Sequence, residues 1–331
     1  MMARWALLVA ALVAAVIVGV SVGPYALSIP ELAHALVAKV TGGELTPLVD
    51  TVLFNIRVPR VLAGALVGGA LAISGATYQS LFRNPLVSPD ILGVSAGASL
   101  GAVLAIVLHL PVVAIQAFAF AGGLLAVIAV YGLGSALRTR DPVLVLVLSG
   151  IAVGALLGAG LSLLKILADP YNQLPTITYW LLGSLAATTG GDLVWMAPIV
   201  LVGLVPLLLL RWRINLMSLG DDEARTLGVD VRRMRLIIVG AATLVSAATV
   251  ATTGVVGWVG LIVPHICRNL LGSDFRKLGP ATLLVGATFL VVVDTLARTI
   301  APIEIPLGVL SAFCGAPFFV WALAAGRKGW S

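Results

Sequence analysis

VVAIQAFAFAGGLLAVIAVYGLGS, residues 112–135, runs for 24 positions without a charged side chain. An α-helix of about 20 residues crosses the ~30 Å hydrocarbon core of a bilayer. The apolar residues are continuous and do not alternate with polar ones, which favours a membrane helix over a barrel strand. Further tracts of this kind are read at 5–24, 58–81, 91–109, 143–167, 193–210, 235–256, 258–271, 279–300 and 305–324. The fold class that follows is an all-α polytopic membrane protein with ten transmembrane helices, forming a single membrane domain over 1–331. The eighth tract is short and contains Pro264, so it is expected to be broken or to span only in part. The longest connections, 25–57, 168–192 and 211–234, are too short for a soluble domain.

Composition agrees. Of 331 residues, 60% are hydrophobic and 10% charged, whereas a soluble domain is about 45–50% apolar and roughly 25% charged. Such a chain needs lipid as solvent. The run Trp5–Val22 behind Arg4 resembles a signal peptide. It is longer than the roughly 7–15 residues of a usual signal core, and a retained first helix is expected. Cys267 and Cys314 lie far apart and support no disulfide framework; both are read as small buried side chains.

The formal charge of +6 reflects orientation rather than an acidic or nucleic-acid partner. With the N-terminus in the cytoplasm, fifteen of the 20 Lys and Arg residues fall on the cytoplasmic side. The outer side receives Lys39, Arg57, Arg60, Lys165 and Arg298. This imbalance predicts ten helices with both termini inside a bacterial inner membrane. Ten helices divide into two five-helix halves of opposite orientation, a common transporter plan. Leu92-Gly93-Val94 is echoed by Leu307-Gly308-Val309, but on the third and tenth helices, which are not counterparts. Small residues recur every four positions at Gly64, Gly68, Ala72 and Ala76, at Gly93, Gly97 and Gly101, and at Gly150, Gly154 and Gly158. In lipid such stripes let helix backbones approach closely.

Catalytic chemistry is not evident. No stretch matches GxxxxGK[ST], so nucleotide hydrolysis requires another chain. His34, His109 and His265 are scattered, and His265-Ile266-Cys267 has no further ligand nearby, so no metal site is expected. Asp294 and Arg298 share a helix face and either neutralise each other near the outer surface or leave Arg298 to meet a partner. Lys165 either snorkels to headgroups or meets an anionic substrate. Within the loop RWRINLMSLGDDEARTLGVDVRRMR, 211–235, Asp221, Asp222 and Glu223 suit the start of a short helix that Gly228 caps. The loop is read as a docking knob for a soluble partner or as a solvated connector.

Four segments together resemble one family. They are IRVPRVLAGALVGGALAISGATYQSLFRNPLVSPDILGVSAGASLGA at 56–102, ADPYNQLPTITYWLLGSLA at 168–186, LGDDEARTLGV at 219–229 and GWVGLIVPHICRNLLG at 257–272. The chain resembles, over about 50–325, the FecCD family of permease subunits from bacterial importers of iron chelates and cobalamin. The resemblance implies a non-enzymatic ten-helix subunit. It also implies a homodimer around an axial pathway, and two ATP-binding-cassette ATPase subunits that hold ATP and Mg. A periplasmic substrate-binding protein completes the assembly. It places Arg57, Arg60 and Arg298 at the binding-protein dock. Asn84, Pro85 and Leu86 would form a cytoplasmic gate with Thr139, Arg140, Asp141 and Pro142, although Pro142 is unusual for that turn. The ATPase coupling segment, within 211–234, would comprise Gly220, Asp221, Asp222, Glu223, Ala224, Arg225, Leu227, Gly228 and Val229. Ala224 would make the closest approach. No cofactor is expected on this chain itself. The cargo would be an iron chelate, with haem first, a ferric siderophore next and cobalamin third. A secondary, ion-coupled transporter is the alternative, which the scarcity of intramembrane carboxylates disfavours.

Overall fold

The computed structural model describes residues 2–23, 25, 27–136 and 142–325, excluding the side chains of 322–325. The described residues are helices and connecting turns, with no strand. In chain order the helices are α1 (Met2–Ser21), α2 (Ile29–Thr41) and α3 (Pro47–Asp50), then a π-helical stretch Thr51–Arg57 leading into α4 (Val58–Leu81). A 3-10 turn, Pro89–Leu92, precedes α5 (Val94–Val107), α6 (Val112–Ala136), α7 (Pro142–Leu167), α8 (Gln173–Leu182) and α9 (Gly190–Leu209). Two short helices follow, α10 (Arg211–Met217) and α11 (Asp221–Thr226). The chain continues through α12 (Val231–Thr253), α13 (Val259–Leu271), α14 (Phe275–Ala297) and α15 (Leu307–Ala325).

Each tract read as a membrane helix is helical. Among the described residues, seven helical stretches are long and apolar enough to cross a membrane, and Val94–Val107, Val259–Leu271 and Leu307–Trp321 are shorter apolar helices. Pro264 does not break α13, whose 13 residues extend about 20 Å.

The connection 25–57 is more ordered than its composition suggests. Ser28 and Glu31 form a capping box at the start of α2, Pro30 lies in its first turn, and Gly42 ends it at φ 75°. The Ser28 hydroxyl and amide donate to the Glu31 carboxylate and hold it below the usual carboxylate range. Leu32, Ala35 and Ala38 then bury one face of α2.

The layering inverts that of a soluble protein only at the surface. α4 and α12 are the most enclosed long helices, with α14 beside α4. α1, α6, α7 and α9 turn most of their side chains outward, including Leu125, Ile128, Leu156, Ile166, Val194 and Leu209. Exposed apolar residues of this kind match lipid, not water.

Small residues decide the inner packing. A Cβ added at Gly68 of α4 would lie 2.2 Å from the Gly286 carbonyl oxygen of α14, and one at Gly97 of α5 2.3 Å from the Gly122 carbonyl oxygen of α6. Two of the three stripes therefore seat helix pairs. The third divides, because Gly150 abuts Ile91 while Gly154 and Gly158 face open space.

Gly68→Ala is expected to force α4 and α14 apart and to destabilise the fold by about 1–3 kcal/mol. Gly132→Ala, on the open face of α6 where an added Cβ meets nothing within 4 Å, is expected to be neutral or to stabilise by about 0.5 kcal/mol. Thermal unfolding of both variants in one detergent checks the contrast.

Candidate functional site

Two built regions stand at opposite ends of the bundle. At one end, which carries residues 211–234, α11 is short but firmly held. Val229 N–H donates to Ala224 O at 3.0 Å and Gly228 N–H to Arg225 O at 2.9 Å. Gly228 adopts φ 80°, a left-handed turn that disfavours a side chain. Arg235 near the start of α12 donates to both oxygens of Asp221, at 2.7 and 2.8 Å. Both side chains are mostly buried. This pair fixes α11 to α12. Asp230 caps α12 by accepting from Arg233 N–H at 3.0 Å.

The small side chain at the centre of α11 faces inward. Ala224 is 0% exposed and joins the core with Met217, Val229 and Val231. The expectation that Ala224 makes the closest approach to a partner is therefore corrected. The outward surface consists of Asp222, Glu223, Arg225 and Thr226, flanked by Leu219 and Leu227, which are 57% and 56% exposed. Arg225 pairs with Asp222 on that surface at 2.7 Å.

The turn after α4 adjoins this segment. Asn84 forms an Asx turn, its side-chain oxygen accepting from Leu86 N–H at 2.9 Å. Asn84 and Leu86 are exposed and Pro85 half-buried. A Cβ at Gly220 would lie 3.4 Å from Arg83 Nη1, so this turn and the start of α11 are neighbours. Pro142 opens α7, and Thr139, Arg140 and Asp141 lie outside the described residues. Further in, Arg268 of α13 donates to the Gln79 side chain at 2.5 Å, and Gln79 donates to Gly260 O at 3.2 Å.

At the other end, Arg57, Arg60 and Arg298 converge. Arg57 donates to Val20 O and Ser21 O, both at 2.9 Å, and to Tyr25 O. Arg298 donates to Val22 O at 2.8 Å and to Gly19 O. Both thereby anchor the C-terminal end of α1 and the turn after it. Arg60 binds Asp294 through Nε and Nη2 at 2.9–3.0 Å and Glu304 at 2.5 and 3.1 Å. Glu304 also accepts from Ser184 Oγ at 3.3 Å.

Asp294 thus pairs mainly with Arg60, and Arg298 Nε stands 3.7 Å from it. Asp294 and Arg298 do form an ion pair, as one of the two expected readings had it, but Arg60 is the nearer partner. The three arginines are not free rim charges, since Arg57 and Arg60 are only 4% and 7% exposed. With Glu304, they line a cavity of about 370 Å³ that also includes Tyr25 and Pro302. Three cations against two carboxylates leave this region net positive.

A second outer cavity, of about 300 Å³, is lined by Gln116, Tyr179, Trp180, Thr252, Thr253 and Asp192 among others. The 168–186 segment supports its rim. Asp169 accepts from Asn172 and Tyr171 N–H, which holds its carboxyl below the usual range. Gln173 donates to Val107 O at 3.0 Å. Lys165 is exposed on the last turn of α7 and lines neither cavity. Among the described residues no three His, Cys, Asp or Glu side chains are grouped to hold a metal.

Arg60→Ala is expected to leave Asp294 buried without its main counter-charge and to destabilise the protein by about 3–5 kcal/mol. Arg60→Leu combined with Asp294→Leu should recover most of that loss. A thermal-unfolding cycle of the two single variants and the double variant measures the coupling.

Residues 11–325 match the model of the FecCD transport family. The molybdate import system permease protein MolB of Haemophilus influenzae is 38% identical over 93% of this chain and 91% of its own length. The hemin transport system permease protein HmuU of Yersinia pestis is 39% identical over 83% of each chain. The cobalamin import system permease protein BtuC of Halobacterium salinarum is 41% identical over 89% of this chain and 79% of its own. A metal-chelate type ABC transporter solved in an inward-facing conformation superposes with a TM-score of 0.87, at 34% identity, over 96% of this chain and 97% of that one. Read with the helical bundle and its two built ends, these likenesses show that the chain belongs to the FecCD transport family, as an ABC importer permease.

Proposed function

We propose that this permease acts as a homodimer in a bacterial inner membrane, with ten crossing helices per chain in two five-helix halves and both termini cytoplasmic. It moves a metal chelate from periplasm to cytoplasm by alternating access. Two ATPase subunits dock below and hold ATP and Mg, and a periplasmic binding protein docks above. The observation that carries this reading is the near full-length likeness to a metal-chelate transporter, joined to a capped helix tethered to α12 at the inner end. A separate ATPase is required because the chain has no phosphate-binding loop. Asp294, the strongest candidate for ion coupling, is occupied by Arg60, which weighs against a secondary transporter.

The coupling role rests on the outward side of α11. Leu219 and Leu227 supply apolar anchors, Asp222, Glu223 and Arg225 supply register, and Ala224 and the Asp221–Arg235 pair hold the helix to the bundle. Asn84, Pro85 and Leu86, beside Gly220, narrow the pathway at the inner end. At the outer end the binding protein inserts an acidic side chain toward Arg57, Arg60 and Arg298, rather than pairing with charges on the surface. Cargo enters past the cavity that Thr252 and Thr253 line. An iron chelate is the favoured cargo, haem before ferric siderophore, with the cobalt corrinoid cobalamin third and molybdate added because MolB is among the relatives.

Uptake by the reconstituted complex, with the binding protein loaded with each cargo in turn, tests the reading. ATP-dependent uptake of a chelate is the expected result, and uptake driven by an ion gradient without ATP would overturn it. Leu219→Asp with Leu227→Asp is expected to weaken ATPase co-purification roughly thirtyfold, as for the loss of an interface anchor worth about 2 kcal/mol. Unchanged co-purification and uptake would remove α11 from coupling.

A further inference from the structure

A cavity of about 300 Å³ lies at the junction of α11 and α12, lined by Arg213, Gly228, Val229, Asp230, Arg233, Met234 and Ile237. Its position is set by two long apolar helices. α9 ends its candidate span at Leu209, four residues before Arg213, and α12 begins its span at Val231, two residues before Arg233. The two arginines therefore sit where hydrocarbon gives way to headgroups.

The charges in this cavity are not internally consumed. Neither guanidinium makes a hydrogen bond or ion pair with a described residue. Asp230 turns its carboxylate onto Arg233 N–H as the cap of α12. Two cations and one carboxylate leave the cavity net +1, the complement of a single phosphodiester. Met234 and Ile237 make part of the lining apolar, and Leu209, at the end of α9, and Leu236, in the second turn of α12, are 76% and 55% exposed. Trp212, 51% exposed, lies at the same level, with the Arg276 guanidinium 4.9 Å from its ring centre. Amphipathic aromatic rings favour that depth in a bilayer.

We propose that this cavity binds the phosphate of one anionic phospholipid from the inner leaflet, with Arg213 and Arg233 on the phosphodiester and the acyl chains along Leu209 and Leu236. A soluble acidic peptide would use the two arginines but not the apolar wall that continues into α9 and α12. Clusters of basic residues at this depth recognise anionic headgroups. Since Gly228 and Val229 also line the cavity, the bound lipid braces the turn that joins α11 to α12.

The test uses the full chain, purified in neutral detergent and titrated with phosphatidylglycerol or with phosphatidylcholine of the same acyl chains, with bound lipid counted by native mass spectrometry. Phosphatidylglycerol is expected to bind in preference. Arg213→Gln with Arg233→Gln should weaken its binding about thirtyfold, from the loss of two surface cations. Arg213→Lys with Arg233→Lys should retain most of it. Arg211→Gln with Arg232→Gln removes the same charge outside the cavity and should change binding by no more than about threefold. Equal binding of phosphatidylcholine, or an equal loss in the control pair, would overturn the proposal. Displacement of the lipid by excess inorganic phosphate would make this a site for a soluble anion and would also overturn it. Lipid binding that survives Arg213→Gln with Arg233→Gln unchanged would also overturn the proposal. None of these readouts requires transport, so the result stands apart from the cargo and coupling assignments.

Discussion

Helices in lipid gain little from hiding apolar surface, because their solvent is as apolar as they are. What holds them together is contact between backbones, and that requires the absence of side chains. α4 meets α14 where Gly68 faces Gly286, and α5 meets α6 where Gly97 faces Gly122. These approaches place α4 at the centre with α14 against it and enclose most of its residues. The remaining long helices can then present leucine, isoleucine and valine outward.

The polar interactions have to be compatible with that close packing. At the outer end Arg60 lies within hydrogen-bond reach of Asp294 on α14 and of Glu304 before α15, so one guanidinium joins three parts of the chain. Arg57 and Arg298 anchor the end of α1 through backbone carbonyls. At the end that carries α11, the Arg235–Asp221 pair gives a six-residue helix, too short to be stable alone, a fixed orientation. Buried ion pairs are poor sources of net stability but strong specifiers of geometry once formed. Here they fix the elements that packing by small residues leaves loosest, namely the ends.

Features encoded locally could be read from the chain. Long apolar tracts located the principal helices, and Asp221–Glu223 followed by Gly228 located α11, because capping depends on residues a few positions apart. The same capping signal stands at Ser28-Ile29-Pro30-Glu31, but the 13-residue α2 it opens is shorter than a membrane-length tract and is seen only in the structure. The partnership of Arg60 with Asp294 spans 234 residues and with Glu304 244, and no periodicity in the sequence encodes it. Ala224 illustrates a different difficulty. A methyl group permits close approach on either side of a helix, and only the arrangement of Met217, Val229 and Val231 decides that the close side is this chain's own core. Substrate identity was equally illegible, since relatives named for molybdate, haemin and cobalamin share similar levels of identity with this chain.

The junction of α11 and α12 has a mechanical consequence. α12 contains no proline and runs for 23 residues, about 35 Å. Its first turns are bolted to α11 through Arg235, and its last turn supplies Thr252 and Thr253 to the outer cavity. A rod of that length tilted by ~5° about its inner end sweeps its far tip through ~3 Å, close to the diameter of a water molecule. Because α12 is enclosed along its length by α4, α6 and α9, such a tilt has to be shared by the helices packed against it, so the two ends of the rod are mechanically linked through the bundle.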